Sequence, residues 1–262
     1  MRITTPYHLV NPSPWPLCSG ISAGIMAIGL ITKFNNIAGS TLVLSLGLSL
    51  VGLTAILWWK DIVIEGSLQG FHTLKVKEGL KIGVILFFIS ESALFASLFW
   101  AYFHASLSPN IEIGSIWPPE GIIVLDPWET PILNIVVLLT SAASCTYAHE
   151  KLLAGAEKEA RIGLGLTVVL GALFLVFQYS EFIAAPFSIA DSVYGSSFFI
   201  ITTAHMGHVI VGAIFLSVCL IRIPHFTKTH HLGLEAAIWY WHIIDLVYLL
   251  VFIVVYYWGS QI

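Results

Sequence analysis

The chain has 262 residues, of which 57% are hydrophobic and only 10% charged, with a mean hydropathy of +0.89. Soluble domains carry roughly 25% charged residues because their surface faces water, so this composition excludes an ordinary water-soluble protein. The formal net charge of −4 gives no basic footprint for nucleic acid.

The start, MRITTPYHLVNPSPWP, is proline-rich with no apolar run before it, so no cleavable targeting segment is expected. A helix needs about 20 mostly apolar residues to cross the roughly 30 Å hydrocarbon layer. On that rule the chain is an all-α integral membrane protein with seven transmembrane spans, at about 15–34, 40–64, 80–104, 131–148, 162–183, 194–221 and 236–258. The full helices are expected at roughly 15–34, 40–64, 72–105, 129–150, 156–183, 191–222 and 233–258 of a single membrane domain, 1–262.

Charge placement tests this count. With the N-terminus inside, the inner segments hold Arg2, Lys60, Lys75, Lys77, Lys81, Lys151, Lys158, Arg161, Arg222 and Lys228, and the outer segments only Lys33. One missed helix would scramble that alternation, so the positive-inside rule places the N-terminus on the matrix or cytoplasmic side and the C-terminus opposite. The longest outer connection, 106–130, has no Lys or Arg but carries Glu112, Glu120, Asp126 and Glu129 among four prolines. An acidic docking surface and a solvated cap are its competing readings.

The second span leads into ILWWKDIVIEGSLQGFHT. Trp58 and Trp59 suit headgroup depth; Lys60 and His72 suit a lipid phosphate, and Glu65 an ammonium or hydroxyl headgroup. A second basic group, Arg222, His225, Lys228, His230 and His231, follows the sixth span on the same side, where anionic lipid binds cations. Ordinary orientation charges are the competing account at both places.

An ionisable residue at a membrane-helix centre costs about 2.5 to 3.5 kcal/mol, so each one present needs a reason. Glu91 lies in mid-third-span, with Phe87, Phe88, Leu94 and Phe95 at helical spacing, none of which neutralises it. It reads either as a proton-exchanging or gating carboxyl at a helix interface, or as a neutral acid hydrogen-bonded there for packing. Beside it Ser90, Ala93, Ser97 and Ala101 form a small-residue stripe expected to admit another helix. The sixth span carries His205 and His208, with Thr202 and Gly212 on the same side. On the seventh, Glu235, His242 and Asp245 share one face, and the two faces are expected to meet. Metal or haem ligation fits the residue types, but the bulky Phe198, Phe199, Trp239, Tyr240 and Trp241 leave little room for a macrocycle. Polar packing is the simpler reading. The isolated Cys18, Cys145 and Cys219 form no CxxC pair.

Seven strings in order resemble subunit III of the mitochondrial and alpha-proteobacterial cytochrome c oxidases. They are YHLVNPSPWPL at 7–17, WWKD at 58–61, ISES and FWAYFH within 89–104, WPPEGI at 117–122, APFSIADSVYGSSFF at 185–199, HMGHVIVG at 205–212, and HHLGLEAAIWYWHIIDLVYL from His230. The resemblance implies two helices and a bundle of five set in a V around a lipid-filled cleft. It also implies partner subunits I and II, which hold haem a, haem a3 and copper, with accessory subunits, and no redox centre in this chain. Glu91 matches that family's carbodiimide-reactive carboxylate. Trp59, Glu65, His72, Arg222, His230 and His231 fall where it binds phospholipid of the phosphatidylglycerol, phosphatidylethanolamine or cardiolipin type. The implied location is the mitochondrial inner membrane, with the bacterial plasma membrane as alternative. Lys60 stands where the family usually has Arg, and Glu150 where a second His follows His149. An independent proton-coupled transporter and a diheme cytochrome are the rival classes.

Overall fold

The computed structural model describes residues 5–228 and 230–261; Arg2, counted above among the inner cations, lies outside them. Seven described helices are long and apolar enough to cross a membrane. They are α1 (Trp15–Phe34), α2 (Ser40–Val63, running on as a π-helical turn, Ile64–Leu68), α3 (Leu74–Leu107), α4 (Thr130–Ala154), α5 (Glu157–Ala184), α6 (Ser192–Arg222) and α7 (Leu232–Val251, continued by a π-helical turn, Phe252–Tyr257). At about 1.5 Å per residue, α3 is about 51 Å long, so it projects well past a hydrocarbon layer of about 30 Å. The ends follow local chemistry. Proline stands in the first turn of α1 and of α4, where its missing N–H costs nothing. Gly155, at φ +83°, closes α4, and Ala156 N–H donates back to the Lys151 carbonyl at 2.9 Å, so α5 begins almost at once and runs antiparallel to α4.

The chain forms two compact units, Met1–Leu80 and Lys81–Ile262. In the first, the α1–α2 seam is built from small residues seven apart: Ser22 and Gly29 on one helix, Ser40, Gly47 and Thr54 on the other, all buried. A Cβ at Gly29 would lie 2.6 Å from the Leu44 Cα, and one at Gly47 2.5 Å from the Met26 nitrogen. The two backbones are in direct contact. Two seam hydroxyls are satisfied inside their own helices, Ser22 donating to Cys18 O at 2.7 Å and Thr54 to Leu50 O at 2.8 Å.

The second unit is organised around Trp241 of α7, which is 1% exposed. Its ring occupies the space that side chains on Gly171 of α5 and Gly212 of α6 would fill, at 2.6 and 3.0 Å. Its Nε1–H donates to Ser141 Oγ of α4 at 2.9 Å, so one indole touches three neighbouring helices. Ser144 of α4 and Thr167 of α5 share a further buried hydrogen bond of 2.8 Å. The 106–130 connection is pinned by Trp117, 3% exposed, which packs on Tyr102 and Tyr194, whereas its four carboxylates stay exposed.

Ser90, Ala93, Ser97 and Ala101 of α3 are all exposed, so no described helix of the 81–262 unit packs on that stripe. The buried face of α3 is Phe95, Phe99, Tyr102 and Ser106.

Candidate functional site

Glu91 is not alone among phenylalanines. His208 of α6 reaches it, Nε2 to Oε2 at 2.6 Å, with both side chains about one-fifth exposed. The other ring nitrogen, Nδ1, lies 2.7 Å from the Ala204 carbonyl. A carbonyl only accepts, so Nδ1 carries a proton and donates it there. Neutral His208 therefore offers a bare Nε2, and a hydrogen bond to Glu91 requires one proton between them, on the acid or on the imidazole. The pair is a one-proton couple, neutral overall in either form, which makes a carboxyl at membrane depth tolerable. Phe95 packs edge-on against His208 at 5.0 Å, and Tyr240 lies at 6.4 Å.

The two histidines of α6 do separate things. His205, 1% exposed, directs Nε2 at the Ile244 carbonyl of α7 at 3.1 Å, so that nitrogen donates a proton and has no lone pair for a metal. Of the residues on α7, Glu235 pairs with Lys81 at 3.3 Å, His242 Nε2 shares a 3.4 Å hydrogen bond with Thr146, and Asp245 is 6% exposed. The expected meeting of the α6 and α7 faces occurs at His205 and at Gly212, which packs on Trp241 and Ile244, whereas His208 turns its hydrogen bond to α3. Among the described residues no three His, Cys, Asp or Glu side chains converge as a metal-holding group.

In the first unit, Glu65 sits on the π-helical turn after α2 and pairs with His8 at 3.5 Å. The His8 ring stacks on Phe71 at 5.1 Å and meets His72 edge-on at 5.7 Å, and Thr73 Oγ1 donates to Pro6 O at 2.5 Å. Trp15 Nε1–H donates to Asp61 at 2.5 Å. Trp58 is half-buried, while Trp59 and Lys60 are exposed. Burial pushes His72 below the usual imidazole range, helped by His8 and Lys77 and opposed by Glu65. His72 is thus mainly neutral at pH 7 and would meet a headgroup as a hydrogen-bonding group. The folded chain resists a proton that the unfolded chain accepts, so this corner's stability is present above about pH 6.5 and declines as pH falls below it. Amide exchange across residues 64–73 is expected to quicken on acidification through that range, and His72→Gln to remove the step.

At the turn between α6 and α7 of the second unit, Arg222 lies over the Phe226 ring at 5.1 Å. Thr227 and His230 pair through their backbones, and His231 Nδ1–H donates to Thr227 O at 2.9 Å. The His231 ring lies 5.5 Å from that of His149. Lys228 lines a cavity of about 240 Å³ with Leu152, Gly155, Glu157, Phe226 and Thr227.

Comparison with known proteins decides what this arrangement belongs to. The family model for cytochrome c oxidase subunit III matches residues 5–260. Among curated relatives named cytochrome c oxidase subunit 3, that of Prototheca wickerhamii is 48% identical over 97% of this chain and 98% of the relative. That of Allomyces macrogynus is 50% identical over 98% and 94%, and that of the dogfish Scyliorhinus canicula 50% over 97% and 98%. The chain belongs to the cytochrome c oxidase subunit III family.

Membership in the subunit III family makes this chain a subunit of the respiratory terminal oxidase, and the transporter and diheme-cytochrome classes fall away. Several polar residues of this subunit III chain escaped the sequence reading. Gln178, Glu181, Tyr256, Tyr248 and Asn134 are all buried in the second unit, yet Glu181 lies near the end of its span, where a carboxylate usually marks the water boundary. The signal was the Gln–Glu pair three residues apart in an apolar run, which places both on one helix face. His8 was equally hidden, because its partners come from the α2–α3 connection.

Proposed function

We propose that this chain is a supporting subunit of cytochrome c oxidase that steadies its partners and sustains proton uptake while the redox chemistry proceeds elsewhere. The partners are subunits I and II, which hold haem a, haem a3 and copper, together with accessory subunits. The assembly transfers electrons from cytochrome c to O2, makes water and pumps protons. It sits in the mitochondrial inner membrane, with this chain's N-terminus in the matrix and its C-terminus in the intermembrane space, as the distribution of Lys and Arg supports.

One observation carries the supporting role: Glu91, the carboxyl at mid-span, is already joined to His208 at 2.6 Å within this chain. A group so engaged is built to hold a helix interface and to exchange at most one proton, not to ligate a redox metal. Phospholipid binding of the phosphatidylglycerol, phosphatidylethanolamine or cardiolipin type falls to Trp58, Trp59, Lys60, Glu65 and His72 in one unit, and to Arg222, Lys228, His230 and His231 in the other. His205, Glu235, His242 and Asp245 serve polar packing. The exposed Trp59 ring and the Glu65–His8 pair support an amphipathic headgroup site, and Arg222 over Phe226 supports an anionic one.

Glu91→Gln tests this reading, because a glutamine N–H still donates to the bare Nε2 of His208 while removing the exchangeable carboxyl proton. Subunit content should be unchanged and the initial rate of oxygen reduction within about twofold of wild type, under ~0.5 kcal/mol of barrier. The loss should instead be a modest shortening of activity over repeated turnover. Abolished oxygen reduction in a fully assembled complex would overturn the supporting role.

A further inference from the structure

Where α4 begins and α5 and α7 finish, the second unit buries a group of polar side chains away from the Glu91–His208 pair. Asn134 of α4 is 0% exposed, Gln178 and Glu181 of α5 are 1% and 4%, and Tyr248 and Tyr256 of α7 and its π-helical continuation are 1% and 2%. Part of the group is satisfied internally. Gln178 Nε2–H donates to Glu181 Oε1 at 3.0 Å and to the Tyr256 hydroxyl at 3.4 Å, and Tyr256 O–H donates to the same Glu181 Oε1.

The remainder is not. Glu181 Oε2, Asn134 Oδ1, Asn134 Nδ2 and the Tyr248 hydroxyl are buried without a hydrogen-bond partner among the described residues. The Tyr248 hydroxyl is the common neighbour, with the Asn134 amide beside it as a hydrogen-bonding group and the Glu181 carboxyl as a charge, so the unmet atoms belong to one neighbourhood. Native interiors leave very few such atoms unpaired, and a cluster of them marks a bound species. Its chemistry follows from the donors and acceptors. A cation would face the N–H pair of Asn134, and an anion would face Glu181. An apolar occupant would leave every group unmet. The occupant must donate to Glu181 Oε2 and Asn134 Oδ1 while accepting from Asn134 Nδ2 or Tyr248 O–H. Water does this, and buried waters typically make about three such bonds.

We propose that Asn134, Glu181 and Tyr248 bind ordered water inside the 81–262 unit, making a hydrated carboxyl site separate from the Glu91–His208 couple. The water ties α4, α5 and α7 together at this end of the bundle. It also gives Glu181 a partner with which its proton or hydrogen bonds can exchange.

The test uses the intact oxidase. A density map that resolves individual waters should show one at about 2.7–3.2 Å from Glu181 Oε2 and from Asn134 or Tyr248. Glu181 Oε2 bonded directly to Asn134 or Tyr248, with no density between them, would overturn the proposal. The second measurement is Tyr248→Phe, which removes one hydroxyl without adding volume. If the site is wet, the water loses a partner and this chain should dissociate from the oxidase at a lower temperature. If it is dry, deleting an orphaned hydroxyl should leave that temperature unchanged or raise it, and the proposal fails.

Discussion

Trp241→Ala is expected to weaken the second unit by about 3–5 kcal/mol, the range for removing a large buried aromatic, so that the oxidase purifies depleted of this chain. The indole is not one contact among many. It fills the space left by Gly171 and Gly212 on two different helices and donates to Ser141 on a third. In hydrocarbon, lipid tails are as apolar as the helix surfaces, so association rests on packing and hydrogen bonds. Alanine at 241 leaves a cavity that the flanking glycines cannot fill, because they have no side chains to move into it. Trp241→Phe separates the two contributions: most ring contacts remain and only the 2.9 Å bond to Ser141 is lost, a cost of about 1 kcal/mol. Chain content after detergent purification and the temperature of dissociation measure both variants. Equal behaviour of the alanine and phenylalanine variants would mean that the hydrogen bond, and not the wedge, secures α7.

Both Trp241 and its glycines were visible in the sequence, but their meeting was not. Gly212 was placed on the His205 face of α6 by spacing alone, and that face does turn to α7. What spacing could not supply was the identity of the residue opposite, which lies 29 positions on. The same limit governs the polar residues. Glu91 stood out because a carboxyl in mid-span is expensive wherever it points. Its partner could have been any of several histidines, and only the rotation of α6 against α3 selects His208. Glu181 failed to stand out for the opposite reason. Its position near a helix end looks solvated in one dimension, and burial comes from α7 and its Tyr256 in three. The stripe from Ser90 to Ala101 meets no helix of its own unit, because small residues mark where a close approach is permitted and do not name the helix that makes it. The seven spans themselves were legible because a bilayer demands that every backbone N–H and C=O be satisfied locally. That demand ties apolar length to helix with little tertiary input.

Gly47→Leu is expected to open the α1–α2 hairpin, at a cost of about 1–3 kcal/mol for overpacking a tight contact and more if the backbones cannot part smoothly. The reason is the identity of the opposing atoms. A Cβ at 47 meets the Met26 nitrogen at 2.5 Å and its Cα at 2.6 Å, and backbone cannot rotate aside as a flexible side chain can. The helices must separate along the whole seam, so the contacts of Gly29 with Leu44 loosen as well, and the variant loses more than one residue's packing. Helix propensity works the other way, since leucine exceeds glycine by up to ~1 kcal/mol in a helix interior. Gly52→Leu isolates that gain, because Gly52 lies on the same helix and a Cβ there would meet nothing within 4 Å. Amide exchange across the two helices should stay slow in the parent and in Gly52→Leu, and quicken in Gly47→Leu. Unchanged exchange in Gly47→Leu would show that the seam yields without separating, and that the heptad of small residues does not hold these two helices in register.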